Sequence, residues 1–167
     1  MNFANVIFDL DGTLADSLPG IESAMRSALA ACLPERTLPS MRNLIGPPIS
    51  RMLGRLWPDL TDEQLANLVT EYRRSYDTEG WRLSNLFPGV PETLAALNRQ
   101  GVNLFVLTNK PFLASRRILE YTGVLSLFRE VFAVLPKLLA HLNAEFDAAI
   151  PNDFTGLTLM YFRVHVE

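Results

Sequence analysis

With 167 residues, 49% of them hydrophobic, the chain has enough apolar material for one domain, or for a core with a small insert. A formal net charge of −3 offers no basic surface to nucleic acid or an anionic membrane, and a lone cysteine, Cys32, excludes an intramolecular disulfide and fits a reducing cytosol. The N-terminus shows no signal-peptide pattern and no apolar run reaches membrane-spanning length, so a cytoplasmic location is expected.

The first element is an apolar run over residues 4–9, Val6-Ile7-Phe8 at its centre, which reads as a buried strand. It feeds directly into Asp9-Leu10-Asp11-Gly12-Thr13-Leu14-Ala15-Asp16-Ser17. Residues 17–80 change character. Ile21, Met25, Ala28, Leu29 and Leu33 recur at helical spacing until Pro34 and Pro39 break the chain. Ile49, Met52, Leu53 and Leu56 resume the pattern up to Trp57-Pro58. Thr61, with Gln64 three residues on, forms a capping-box pattern ahead of Leu65, Leu68, Val69 and Tyr72. This stretch reads as an all-helical insert.

Leu86-Phe87-Pro88-Gly89-Val90 reads as a hinge back to the core. Pro91 suits the first turn of a helix carrying Leu94 and Leu97, which Gly101 closes. Residues 102–107 form a nearly continuous apolar run, the pattern of a parallel strand covered on both faces. A helix over residues 111–121, stopped by Gly123, and a short strand over residues 130–134 follow. Strands alternating with helices predict a parallel α/β sheet whose ligands bind at the carboxyl ends of the strands, where Asp9 and Thr108 lie.

The chemistry sits in the first acidic turn. Alternate residues of an extended chain point the same way, so Asp9 and Asp11 can face one site. Gly12 permits a tight turn, and Thr13 and Ser17 carry donor hydroxyls. One carboxylate able to attack phosphorus, one able to move protons, and a cation to screen them suit phosphoryl transfer. A bare Asp-x-Asp is common and also reads as a solvated turn capping the next helix. The full string DLDGTLADS after an apolar strand is far more specific, and it resembles the first motif of the haloacid dehalogenase (HAD)-like hydrolase superfamily.

That resemblance implies a Rossmann-like α/β core from residues 1–16 and 86–167, with a small all-helical cap, residues 17–85, inserted after the first strand. Thr108-Asn109 matches the second motif, whose hydroxyl and following amide hold a phosphate oxygen; alone, Thr-Asn-Lys-Pro also reads as a helix start. Lys110 reads as a phosphate ligand or as a solvated side chain. Thirteen arginines against two lysines, Lys110 and Lys137, hint that each retained lysine marks a need for a compact ammonium. Met41-Arg42-Asn43-Leu44-Ile45-Gly46-Pro47-Pro48 and Leu86-Phe87-Pro88-Gly89-Val90 are similar to the phosphoglycolate phosphatase-like subfamily. In it the cap closes over the site and reads the leaving group. Arg42 is the candidate for meeting an anionic substrate, and reads equally as a solvated arginine; Arg73 and Arg74 read as surface.

The implied activity is Mg2+-dependent hydrolysis of a phosphomonoester through an aspartyl phosphate. Asp9 is the nucleophile and Asp11 the acid–base. Asp9 and Asp11 are also metal ligands, and Gly12, Thr13, Thr108, Asn109, Lys110 and Arg42 bind substrate. The expected partner is a small phosphorylated metabolite, without nucleic acid or membrane, for a monomer or homodimer. The resemblance covers roughly residues 4–134. Lys137 is the only lysine left for the third-motif role, and it also reads as the solvent side of an amphipathic helix bearing Leu135, Leu138, Leu139, Leu142 and Phe146. For the paired acids of the fourth motif, Asp147 and Asp153 are the nearest candidates, and Asp153 is taken as the third metal ligand. Residues 157–167 alternate as a half-exposed strand rather than the family's usual ending. The chain is also some tens of residues shorter than a capped member, as an internal deletion, a frameshifted end or a truncation would leave it. The alternatives are a catalytically impaired HAD-fold protein with a binding role, and a phosphosugar mutase.

Overall fold

The computed structural model describes residues 5–42, 44 and 46–133. They divide into two compact units: residues up to Leu14 together with those from Leu86 on, and Ala15–Asn85.

The first unit is a parallel sheet with helices. Strands β1 (Asn5–Phe8), β4 (Asn103–Thr108) and β5 (Glu130–Ala133) lie in the order β1-β4-β5, each pair parallel. Helix α4 (Val90–Arg99) leads into β4, and α5 (Phe112–Tyr121) connects β4 to β5. The central strand explains the unbroken apolar run: Leu104, Phe105 and Val106 are all buried. Val6 and Val131 from the flanking strands, with Leu94, Ile118 and Leu119 from the helices, complete the core. Gly101 ends α4 with φ +78, its amide donating to the Asn98 carbonyl at 3.0 Å, as expected of a left-handed glycine closing a helix. The register pairs Asn5 with Asn103 and Phe8 with Val106. Asp9 and Thr108 therefore leave their strands within two residues of the same pair.

The second unit is helical. Helices α1 (Leu18–Cys32), α2 (Ile49–Leu56) and α3 (Asp62–Thr78) follow the apolar spacing of the sequence. Ile21, Ala24, Met25, Ala28 and Leu29 of α1 are buried, as are Leu68, Val69, Tyr72 and Tyr76 of α3. The capping box at Thr61 is formed. The Gln64 amide donates to the Thr61 Oγ1 at 3.2 Å, and the Thr61 amide donates to the Gln64 Oε1 at 3.0 Å. Between α1 and the short 3-10 turn Gly80–Leu83 the chain backbones nearly touch. A Cβ on Gly20 would lie 2.0 Å from the Gly80 carbonyl oxygen.

Two short strands, β2 (Ala15–Asp16) and β3 (Asn85–Leu86), form a two-stranded ladder where the chain leaves and rejoins the sheet. The sequence reads them as turn and hinge, because two residues carry no periodicity. The amphipathic helix expected after Leu135 and the strand expected over residues 157–167 lie outside the described residues. Among the described residues, no helix is long and apolar enough to cross a membrane.

Candidate active site

The site is built at the carboxyl ends of β1 and β4. Beyond Phe8 the chain turns at once. The amides of Leu14 and Thr13 both donate to the Leu10 carbonyl, at 3.0 and 3.4 Å. Leu10 and Leu14 are almost wholly buried and anchor this turn from below. Gly12 sits at φ +79 with open space where a Cβ would go, so the demand for glycine is backbone conformation and not crowding. Thr13 is buried behind it. The turn leaves Asp9 and Asp11 half-buried, both carboxylates on one site.

Asp9 is held by two donors: the Leu10 amide, 2.8 Å from its Oδ1, and the Thr108 hydroxyl. Burial nevertheless raises its carboxyl from 3.8 to about 6, and the nearby Asp11 adds to the rise. The Leu10 and Thr108 hydrogen bonds and the Lys110 charge pull the other way without cancelling it. Asp9 is thus a carboxylate whose ionised form burial disfavours.

Thr108 and Lys110 arrive from β4. Thr108 is buried, and its Oγ1 also accepts the Lys110 amide at 3.2 Å. The Lys110 ammonium lies 2.9 Å from each oxygen of Asp11, with only 5% of the lysine side chain and 15% of the aspartate exposed. Of the two sequence alternatives for Lys110, the solvated one is therefore corrected: its ammonium is drawn in by a carboxylate 99 residues away in the chain. Asn109 between them is exposed.

Asp9, Asp11, Thr108 and Lys110 are thus brought together, with Gly12 and Thr13 in the turn that presents the acids. Arg42 is exposed in a turn of the helical unit, not in a helix. Arg74 lies on the surface, paired with Glu71 at 2.7 Å. Lys137, Asp147 and Asp153 lie outside the described residues. One contributor is not read from the sequence: Ser115, fully buried in α5, donates to the Pro111 carbonyl at 3.0 Å and toward the Lys110 carbonyl at 3.4 Å. A serine in a helix carries no local signal of such a brace.

The donor chemistry suits a hard divalent cation. Asp9 offers a half-buried carboxylate, and Asp11 adds the backbone carbonyl two residues on. Mg2+ keeps several waters and is bound through one or two carboxylates. Among the described residues, no cluster of three or more acidic, histidine or cysteine side chains could hold a metal ion.

Residues 6–136 match the family model of haloacid dehalogenase-like hydrolases. The tyrosine-protein kinase PtkA of Mycobacterium tuberculosis is 39% identical over 122 residues, covering 71% of this chain and 40% of that protein. A phosphoglycolate phosphatase of Vibrio vulnificus is 34% identical over 134 residues, covering 75% and 59%. The chain thus spans about 40–60% of the length of these curated relatives. Among solved structures, a predicted phosphoglycolate phosphatase from Haemophilus somnus superposes with a TM-score of 0.69 at 30% identity. That match covers 86% of this chain and 72% of the other.

Proposed function

The chain belongs to the haloacid dehalogenase-like hydrolase family, and from that premise we propose that it is a phosphomonoester hydrolase of the phosphoglycolate phosphatase type. The observation that carries this reading is the four-residue constellation at the strand ends: Asp9 and Asp11 two residues apart, with Thr108 on Asp9 and Lys110 on Asp11.

In this reading an Asp9 carboxylate oxygen attacks phosphorus. The bond from phosphorus to the ester oxygen breaks, and Asp11 gives a proton to the departing alkoxide. Water then attacks the aspartyl phosphate. Asp11 takes the water's proton, the bond from phosphorus to Asp9 breaks, and phosphate leaves. The Thr108 hydroxyl and the Asn109 amide hold phosphoryl oxygens, each charge-assisted bond contributing roughly 1.5–3 kcal/mol. Asp9 and the Asp11 carbonyl would hold Mg2+, which supplies positive charge where the phosphoryl group gathers negative charge. The substrate is a small phosphorylated metabolite, and the helical unit serves as the cap that selects it.

The test is hydrolysis of 4-nitrophenyl phosphate with and without Mg2+, beside Asp9→Asn. We expect Mg2+-dependent turnover in the native chain and background in the variant. Equal activity in the two would end the reading. A second reading changes the donor and the acceptor. The 39% identity to a tyrosine-protein kinase favours transfer of the phosphoryl group to a hydroxyl other than water's. Phosphoryl transfer from ATP to a tyrosine peptide, without matching release of free phosphate, would select it.

A further inference from the structure

We propose that Lys110 is a positioning residue for Asp11 in the hydrolytic half of the reaction. Its ammonium holds the acid–base carboxylate at the orientation from which it takes the proton of the attacking water. The inference rests on the phosphomonoesterase reading and adds a role to a residue whose sequence reading is phosphate contact.

Three features carry it. The ammonium is equidistant from the two Asp11 oxygens, at 2.9 Å each, so it restrains both ends of the carboxylate at once. Both side chains are withdrawn from solvent, 5% and 15% exposed, where such a pair is screened little. The lysine is itself braced at both ends of its backbone. Its amide donates to the Thr108 Oγ1 at 3.2 Å, and its carbonyl faces the buried Ser115 hydroxyl at 3.4 Å. Pro111 then fixes the backbone immediately after it. A long side chain loses rotamer freedom when pinned. A surface lysine would not be held this way.

The chemistry follows from the orientation that the pair gives Asp11. A carboxylate held at both oxygens presents them in one place. Accepting a proton is what the second half-reaction asks of it, when water attacks the aspartyl phosphate. The first half-reaction depends on it less when the leaving group is a good one. Losing the clamp should therefore slow dephosphorylation while leaving attack on an aryl phosphate almost intact. A misplacement of about 1 Å in such a group costs on the order of 100-fold.

The experiment is steady-state and stopped-flow kinetics of Lys110→Gln on 4-nitrophenyl phosphate. kcat should fall by about 10- to 100-fold with KM falling alongside, so that kcat/KM stays within about 3-fold, and a burst of nitrophenolate should appear. Lys110→Arg should recover part of kcat. In an Asp11→Ala background, Lys110→Gln should add almost nothing, because both changes remove the same function. A rise in KM with kcat unchanged, or an effect that adds fully to Asp11→Ala, would overturn the inference and return Lys110 to phosphate contact. If Lys110→Gln melts below the assay temperature, Lys110→Arg keeps the buried charge and carries the same burst readout. Native turnover with an unaltered variant sinks the inference alone. No turnover from the folded native chain sinks the phosphomonoesterase reading and the inference with it.

Discussion

The role proposed for Asp9 pulls against its surroundings. As a nucleophile it would have to be ionised, yet burial holds its carboxyl near 6, above the 3.8 of a free aspartate. The folded state therefore binds the proton more tightly than the unfolded chain does. Stability from this group is fully present below about pH 4 and is lost as pH rises through 6. At pH 7.5 the ionised carboxylate costs the fold roughly 2–3 kcal/mol. Asp9→Asn removes that cost and keeps an oxygen to accept the Leu10 amide. The variant should melt several degrees higher than the native chain at pH 7.5, and the gain should shrink to about a third at pH 4.5 and vanish near pH 3. Its activity should fall by roughly six orders of magnitude, the scale on which losing a nucleophile acts elsewhere. A variant less stable than the native chain at pH 7.5 would show that the carboxylate is already neutralised. Much of this site is legible in the sequence, because Asp9, Asp11 and Gly12 are adjacent and the backbone alone makes them converge. The Lys110–Asp11 pair is not, since nothing local states which way a lysine 99 residues away will turn.

At the scale of elements, the legible features are those with a local cause. The capping box at Thr61 forms from four consecutive residues, and the continuous apolar run of β4 follows from having helices and strands on every side. Thr61→Ala should cost about 1 kcal/mol by circular dichroism melts, the usual worth of such a cap. The Gly20–Gly80 approach is the contrary case. Gly20 lies inside α1, where glycine is locally unfavourable by about 1 kcal/mol relative to alanine. Helix propensity alone would therefore rank Gly20→Ala as stabilising. The 2.0 Å that its Cβ would leave to the Gly80 carbonyl oxygen reverses the sign, because backbone meets backbone and neither side can rotate away. Gly20→Ala should destabilise by roughly 1–3 kcal/mol or more. A higher melting temperature for that variant would show that α1 and the 3-10 turn after α3 can part at little cost. Sixty residues of sequence separate the two glycines, so only the packed unit reveals the constraint.

For the whole molecule, the cost of ionising half-buried Asp9 becomes a linkage between cation binding and folding. A ligand that binds only the native state stabilises it by about 2.7 kcal/mol at a hundred times its Kd. For a chain of this size each kcal/mol shifts Tm by roughly 2–4 °C. Mg2+ should therefore raise the native chain's Tm by several degrees, and a chelator should reverse the rise. Asp9→Asn should begin higher without metal and gain almost nothing from it, because the carboxylate that costs the fold stability is the one that would hold the ion. The two curves of Tm against Mg2+ concentration should cross. Parallel curves, both rising, would place the cation away from Asp9. Two flat curves would mean that the oxygens at the strand ends do not bind it. Crossing would show one carboxylate kept at a cost to the empty fold and compensated when the ion is bound. That is the behaviour expected of a residue whose burial serves chemistry and not packing.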